Sequence, residues 1–435
     1  MTIQYLQDLI EPDPDPSIWN FDKDSDPNAN KPSGIRLRDA VDIMRKKYAE
    51  DYSDAQETRI RMQDCALHIE QHKERSALVL RTPEGSFPFR ASGLRSLIAT
   101  VSAPLDFLHR IPVENAIADL NFCMKRKRQK FKLRTAVGGS VIEAASPRKI
   151  RAVVGNYYSA HDLPEMLDNL RLAFARAGIE ANVGCVAARI GVANEIWLTL
   201  SPQLCGPLGS AITPCVKVRN GELGNAAYSI DSAVYRTRSA KGFLHKDKRI
   251  NFRVRHSGYG TRIREEVAYA LPALFQNAYD MAQEFIHKGM EQITVKEARA
   301  RLRSTYLNNK SREEAIAIAI AEKLDRQSNA DRGLNWDCAE LLYRKKPLVS
   351  EGPSEDGETI AVAELIYAVS QVAQKLDHIK RHRVEREAHG LLSSSAIQIK
   401  EQASLRLTDK HKRRRVTPYH KHALDNASNL RSTQI

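Results

Sequence analysis

Behind Asp162, the apolar residues Leu163, Met166, Leu167, Leu170, Phe174 and Ala177 recur at steps of three and four and stop at Gly178. That spacing predicts an amphipathic helix with Asp162 as its N-cap and Gly178 just past its end. Downstream the period shortens to two. Segments 182–190, 195–200, 211–219, 226–236 and 250–256 read as short strands, and the chain between them is too short for parallel crossovers. An antiparallel meander follows. Asn220-Gly221 is its strongest turn signal, because both residues tolerate the positive φ of a tight hairpin.

From Thr261 the helical period returns, with Val267, Leu271, Leu274, Ala278, Met281 and Phe285 on one stripe and Pro272 as the expected kink. Thr294 with Glu297, and Ser311 with Glu314, form capping-box patterns that should open further helices. The second of these, Ala/Ile-rich, looks buried and unlike a groove-reading helix. On the N-terminal side, Ile35, Leu37, Val41, Ile43 and Met44 lie among many charges, which suits surface helices over 35–75. Residues 76–89 read as a hairpin turning at 82–85. Segments 94–101 and 113–124 read as helices separated by Pro104 and Pro112.

The expected fold class is α+β: a central antiparallel β-meander backed by a long helix, a helical C-terminal half and disordered ends. Residues 1–34 form a flexible acidic, Pro-rich leader in this reading, with Trp19 and Phe21 able to dock on the body. Residues 35–150 are a mixed α/β region, 151–290 the meander core and 291–392 a helical region. Residues 347–358 read as a linker and 393–435 as a basic disordered tail.

Charge adds what the periods do not. The 435 residues carry 67 Lys and Arg against 53 Asp and Glu, a formal net charge of +14, which favours polyanionic partners. Two basic stretches interleaved with aromatics lie inside segments that otherwise look folded. The first is Lys125, Arg126, Lys127, Arg128, Lys130, Lys132 and Arg134, framed by Phe122 and Phe131. The second is Arg236, Arg238, Lys241, Lys246, Lys248, Arg249, Arg253, Arg255 and His256, among Tyr235, Phe243, Phe252 and Tyr259. Cations that track phosphates beside aromatics that stack on bases are the composition of a single-strand groove. Alternation on 250–256 should turn Arg253 and Arg255 outward and Phe252 inward.

No apolar run long enough to cross a bilayer occurs, and the first residues lack a secretory pattern, so a cytoplasmic protein without a membrane partner is expected. The six cysteines are scattered without metal-ligand spacing, and neither a metal nor another cofactor is expected.

Residues 92–285 resemble the phage- and plasmid-borne family known as domain of unknown function 932. The likeness lies in the stretch LRSLIATVSAPLDFLHRIPVENAIADLN, in Arg151-Ala152-Val153-Val154 leading into Tyr157-Tyr158, in Val218-Arg219-Asn220-Gly221-Glu222-Leu223-Gly224, and in Phe252-Arg253-Val254-Arg255-His256. Residues 359–377 look like that family's closing helix. The resemblance implies a mobile-element context with no settled activity. Where the family often shows a Cys-x-Asn-Gly-like step, this chain has Ser239-Ala240-Lys241-Gly242, so no role carried by that Cys or Asn transfers.

These signals lead to a sequence-tolerant nucleic-acid-binding protein of a phage or plasmid, with single-stranded DNA binding or annealing in recombination or replication as the expected activity. Two alternatives come from other classes. One is a metal-dependent nuclease using Glu222, His256 or His161, although His161-Asp162 also reads as a turn and N-cap, and no phosphate loop, zinc-protease motif or nucleophile elbow is present. The other is a partner-binding protein. Val362, Leu365, Val369, Val372, Leu376 and Ile379 trace a short coiled-coil-like stripe on 359–382, able to dock within its own domain or to build a homo-oligomer.

Overall fold

The computed structural model describes residues 5–21, 32–72, 75–104, 108, 110–137, 148–159, 161–221, 227–236, 241–245, 251–254, 260–331 and 358–392. The chain divides into two units, Met1–Gly206 with Ser210–Gln283, and Pro207–Gly209 with Glu284–Ile435. The fold is α+β. The regions expected at 35–150 and 151–290, apart from 207–209 and 284–290, belong to one unit, because α1 and α4 share a core with the large sheet.

In chain order the first unit contains β1 (Ser17–Asn20), β2 (Ile35–Arg36), α1 (Leu37–Asp51), β3 (Ser53–Arg61), β4 (Ala66–His72), β5 (Arg75–Thr82) and β6 (Gly85–Pro88). It continues with α2 (Ala91–Val101), α3 (Val113–Lys125), β7 (Lys130–Val137), β8 (Arg148–Gly155), α4 (Leu163–Arg176), β9 (Gly184–Ile190), β10 (Asn194–Thr199) and β11 (Leu204–Cys205). Then come β12 (Ala211–Asn220), β13 (Tyr228–Arg236), β14 (Lys241–Leu244), β15 (Phe252–Val254) and α5 (Gly260–Lys288), whose last turns belong to the second unit.

The meander is the large sheet, ordered β1-β9-β10-β12-β13-β14, with β2, β11 and β15 paired at its margins and every pairing antiparallel. One face of it is apolar. Ile196, Leu198, Val216, Val218 and Ile230 pack there against Met44 of α1, Leu167 and Leu170 of α4, and Leu271 and Leu274 of α5. Each such side chain contributes about 1.5–3 kcal/mol on burial, so this layer is a major source of the unit's stability.

The opposite face carries Glu195, Lys217, Arg219 and Asp231, all buried, with Trp197 and Tyr235 beside them. Lys217 Nζ lies 3.1 Å from Glu195 and 4.8 Å from the centre of the Trp197 ring, a cation held by a carboxylate and an aromatic face.

A second core lies under two smaller sheets, β3-β7-β8 and β4-β5-β6, with α2 and α3. Helix α2 lies close on β8: a Cβ on Gly93 would stand 2.2 Å from the Ile150 carbonyl oxygen, so only glycine permits this approach. Burial, reinforced by Asp64, pushes the Cys65 thiol up to about 11, which keeps it protonated and unreactive near neutral pH.

Several expectations need correction. Residues 5–21 belong to the folded body: Leu6 and Leu9 are buried in the second core, Glu11 pairs with Lys149, and β1 adds to the large sheet with Trp19 and Phe21 against its core. Only 22–31 of the expected leader, together with 1–4, lie outside the described residues. The segment 35–75 is α-helical only through α1, after which it forms strands β3 and β4, and of β3 only residues 57–61 alternate at a period of two. Asn220 closes no two-residue hairpin. It still pairs with Asn194, and the β12–β13 register of Arg219 with Ser229 leaves a longer connection. The expected linker 347–358, except Glu358, and the tail 393–435 lie outside the described residues.

The second unit comprises β16 (Gln292–Thr294), α6 (Val295–Leu302), α7 (Asn309–Asp331), β17 (Thr359–Ala361), α8 (Val362–Ala373) and α9 (His378–His389). Thr294 caps α6 through Glu297 N–H at 3.1 Å. The next cap is Asn308, whose side chain accepts from Ser311 N–H, three residues before the expected Ser311. Helix α8 is buried on nearly every side, and a break after Ala373 leaves Ile379 half-exposed on α9. Of the two outcomes open to this stripe, docking within its own domain is the one seen over Val362–Ala373, which is buried inside its unit.

Glu284 is held by His389 at 3.4 Å and Lys288 at 2.8 Å. The hydrogen bond from His389, helped by Lys288, lowers its carboxyl to about 2 from an ordinary 4.5. A depressed carboxylate stabilises the fold above its unfolded pKa and loses that contribution as pH falls through the folded one. The stability gap between wild type and Glu284→Gln, measured by urea denaturation, should therefore be full at pH 5 and shrink between pH 4.5 and about 2. A gap independent of pH would mean the ion pair contributes nothing.

Candidate nucleic-acid interface

The first basic stretch spans three structural settings. Lys125 ends α3, Arg126 to Arg128 form the turn that follows, and Lys130, Lys132 and Arg134 alternate along β7 with the core residues Phe131 and Leu133. The alternation turns the cations to the outer face of the β3-β7-β8 sheet. Lys125, Arg126, Arg128 and Lys130 are exposed and Lys127 is half-buried. Phe122 stands 62 % exposed on the last turn of α3, with the Arg126 guanidinium 5.6 Å from its ring centre.

Lys132 and Arg134 serve the fold instead of the surface. Lys132 Nζ lies 2.8 Å from Glu57 and donates to the Tyr158 carbonyl at 2.7 Å. Arg134, buried, pairs with Asp162 and lies 3.9 Å from Glu57. The Asp162 carboxylate is thereby drawn away from the N-cap bond its position would allow, and α4 begins without a side-chain cap.

The register of β3 adds residues that the sequence reading missed. Arg61 lies directly opposite Lys130, and Arg59 opposite Lys132. Glu57, Arg59 and Arg61 face outward while Ile60 enters the core, a period of two that was legible in Glu-Thr-Arg-Ile-Arg. Like charges opposed on an antiparallel pair repel. Among the described residues no carboxylate pairs with Arg59, Arg61 or Lys130, whereas Lys132 has Glu57. The outer face thus presents Arg59, Arg61 and Lys130 continuous with the cations of the α3–β7 turn.

The second stretch does not form one patch. Arg236 ends β13 opposite Lys241 of β14, and Arg253 of β15 lies opposite Ser229 near the start of the same strand. Seven residues of strand separate the two positions, about 23 Å. Arg253 is exposed while Phe252 packs on the core, as its alternation predicted. Tyr235 and Phe243 are buried and stack on no ligand. Arg238, Lys246, Lys248, Arg249, Arg255, His256 and Tyr259, and the side chain of Lys241, lie outside the described residues.

The nuclease candidate His161 and its neighbour Asp162 are tied into the fold. His161 is buried with Nδ1 3.3 Å from Glu165, its carbonyl accepts from the Asn220 side chain, and Asp162 belongs to Arg134. Glu222 lies outside the described residues. Among the described residues no group of three His, Cys, Asp or Glu is placed to hold a metal ion, and no helix is long and apolar enough to cross a membrane. A cleft of about 440 Å³ between α5 and the segments that follow α4 and β10 is lined by Ile179, Leu200, Ser201, Pro272, Phe275, Gln276 and Tyr279, a mainly apolar set without a carboxylate or imidazole.

No protein-family model, curated protein or solved structure matches this chain. The chemistry of the site therefore stands on its geometry: an exposed, cation-rich sheet face whose strands are paired in a register that sets like charges against each other.

Proposed function

We propose that the chain binds nucleic acid, with little sequence preference, through the outer face of β3 and β7 and the α3–β7 turn. The observation that carries this is the opposition of Arg61 to Lys130, with Arg59 two residues along the same strand and no carboxylate paired with any of the three among the described residues. A register that repels in the free protein is relieved by a ligand carrying regularly spaced negative charge, and a phosphodiester backbone is such a ligand. Base edges need fixed donors and acceptors in a groove-reading element, and the face offers flexible cations instead, so binding tolerates sequence. DNA handling in recombination or replication of a phage or plasmid is the setting this reading favours.

The test is fluorescence anisotropy with labelled oligonucleotides across a salt series. Wild type should lose affinity steeply with salt, and the combined variant Arg59→Gln, Arg61→Gln, Lys130→Gln should flatten the log–log slope by about 2 to 3. An unchanged slope in a folded variant would remove this face from the binding site.

A further inference from the structure

Tyr157 is 88 % exposed, yet the backbone that carries it is fastened on both sides. It follows β8, whose last residue, Gly155, is paired with Phe131, the neighbour of Lys130. The turn is closed by Tyr158 N–H donating to the Gly155 carbonyl at 2.9 Å. Lys132, two residues along β7 from Lys130, donates to the Tyr158 carbonyl at 2.7 Å. The Tyr158 ring packs on Ala152 and Val154, and its hydroxyl donates to the Gly221 carbonyl at 3.1 Å. Four residues on, Asn220 and Arg134 hold His161 and Asp162.

A large aromatic left in water forgoes the 1.5–3 kcal/mol that burial would bring, and a mobile loop could fold it away. Here the neighbouring tyrosine is spent on anchoring the turn while Tyr157 is kept out, within one residue of a carbonyl that Lys132 holds. The arrangement is an exposed ring on a fastened turn, two residues past Gly155, which pairs with the neighbour of Lys130, so the backbone has little ordering entropy left to lose on contact.

We infer that Tyr157 is a base-stacking residue and that the ligand of this face is single-stranded nucleic acid, its phosphates along Arg59, Arg61 and Lys130 and an unpaired base against the phenol ring. The inference rests on the reading of the face as a nucleic-acid surface. In a duplex the base faces are already stacked on one another and closed to the ring, so Tyr157 favours single strands.

The experiment compares a labelled single-stranded oligonucleotide with its duplex at fixed salt, using full-length wild type, Tyr157→Ala, Tyr157→Phe and Tyr157→Trp. Tyr157→Ala should weaken single-strand binding about tenfold or more with its salt slope unchanged, and leave duplex binding within about twofold. Tyr157→Phe and Tyr157→Trp should bind single strands as wild type does, and the new indole should be quenched on binding. The inference is overturned if Tyr157→Ala binds single strands normally, if it loses both ligands equally, or if Tyr157→Phe is as weak as Tyr157→Ala. The two readings fail separately: a basic-face variant that loses its salt slope beside a normal Tyr157→Ala sinks only the stacking role. The reverse pattern sinks only the assignment of phosphates to Arg59, Arg61 and Lys130.

Discussion

Glu195→Ala is expected to destabilise the first unit by about 3–5 kcal/mol, because it leaves two cations buried without the carboxylate between them. Lys217 Nζ is 3.1 Å and Arg219 Nε 3.7 Å from that carboxylate, and neither side chain reaches water to a useful extent. Desolvating an ammonium is tolerated only where a counter-charge compensates it. Removing one partner therefore exposes the whole desolvation penalty, not only the worth of the pair. Urea denaturation measures it, with Lys217→Met added as a second change. The double variant should recover part of the loss, since an apolar chain on the Trp197 ring needs no counter-charge. A loss below about 1 kcal/mol for Glu195→Ala would show that Asp231, opposite Lys217 in the β12–β13 register, takes over the charge.

A comparable loss is expected near the start of the chain. Glu11 and Lys149 pair with each side chain 3 % exposed. The same segment is tied by Glu11 N–H to the Phe89 carbonyl at 3.1 Å, by Ala91 N–H to the Glu11 carbonyl at 2.8 Å, and by Asp13 to Ser92 and Arg95. Glu11→Ala should cost about 3–5 kcal/mol and make residues 5–13 an early site of limited proteolysis. Cleavage there at the wild-type rate, with stability unchanged, would mean the backbone bonds alone hold the segment.

That segment also shows where sequence reading reached and where it stopped. Helices α4 and α5 were legible because each carries a complete apolar stripe, and Leu167, Leu170, Leu271 and Leu274 meet the sheet as their spacing demands. The meander was legible because its strands are short and close in sequence. Residues 5–21 were not: proline and aspartate dominate the composition, while their fixing comes from Phe89, Lys149 and β9, all distant along the chain. Composition measures local preference and is silent about such contacts. Strand β3 was overlooked for a related reason, since Ile60 is its one buried residue and the many charges around it resemble a solvated helix, although Glu57 to Arg61 alternate at a period of two.

The candidate site was half legible. Lys125, Arg126, Arg128 and Lys130 could be found as a run, and all are exposed. Lys132 and Arg134 belong to the same run yet neutralise Glu57 and Asp162, because strand alternation and a neighbouring helix start bring those carboxylates to them. Arg59 and Arg61 enter only through register, which no count of charges contains. The aromatics divide in the same way: Phe131, Tyr235 and Phe243 fill cores, and Tyr157, set among turn residues, stays in solvent.

The opposed cations of β3 and β7 have a consequence for how this chain can change. A substitution such as Arg61→Glu would turn a repelling cross-strand pair into an attracting one and make the free protein more robust. The same change would place a negative charge where the proposed ligand's phosphates would lie. On that proposal, robustness of the free protein and grip on nucleic acid pull in opposite directions at these positions, and a population selected only for thermal endurance would drift toward acidic residues on this face and lose the proposed site.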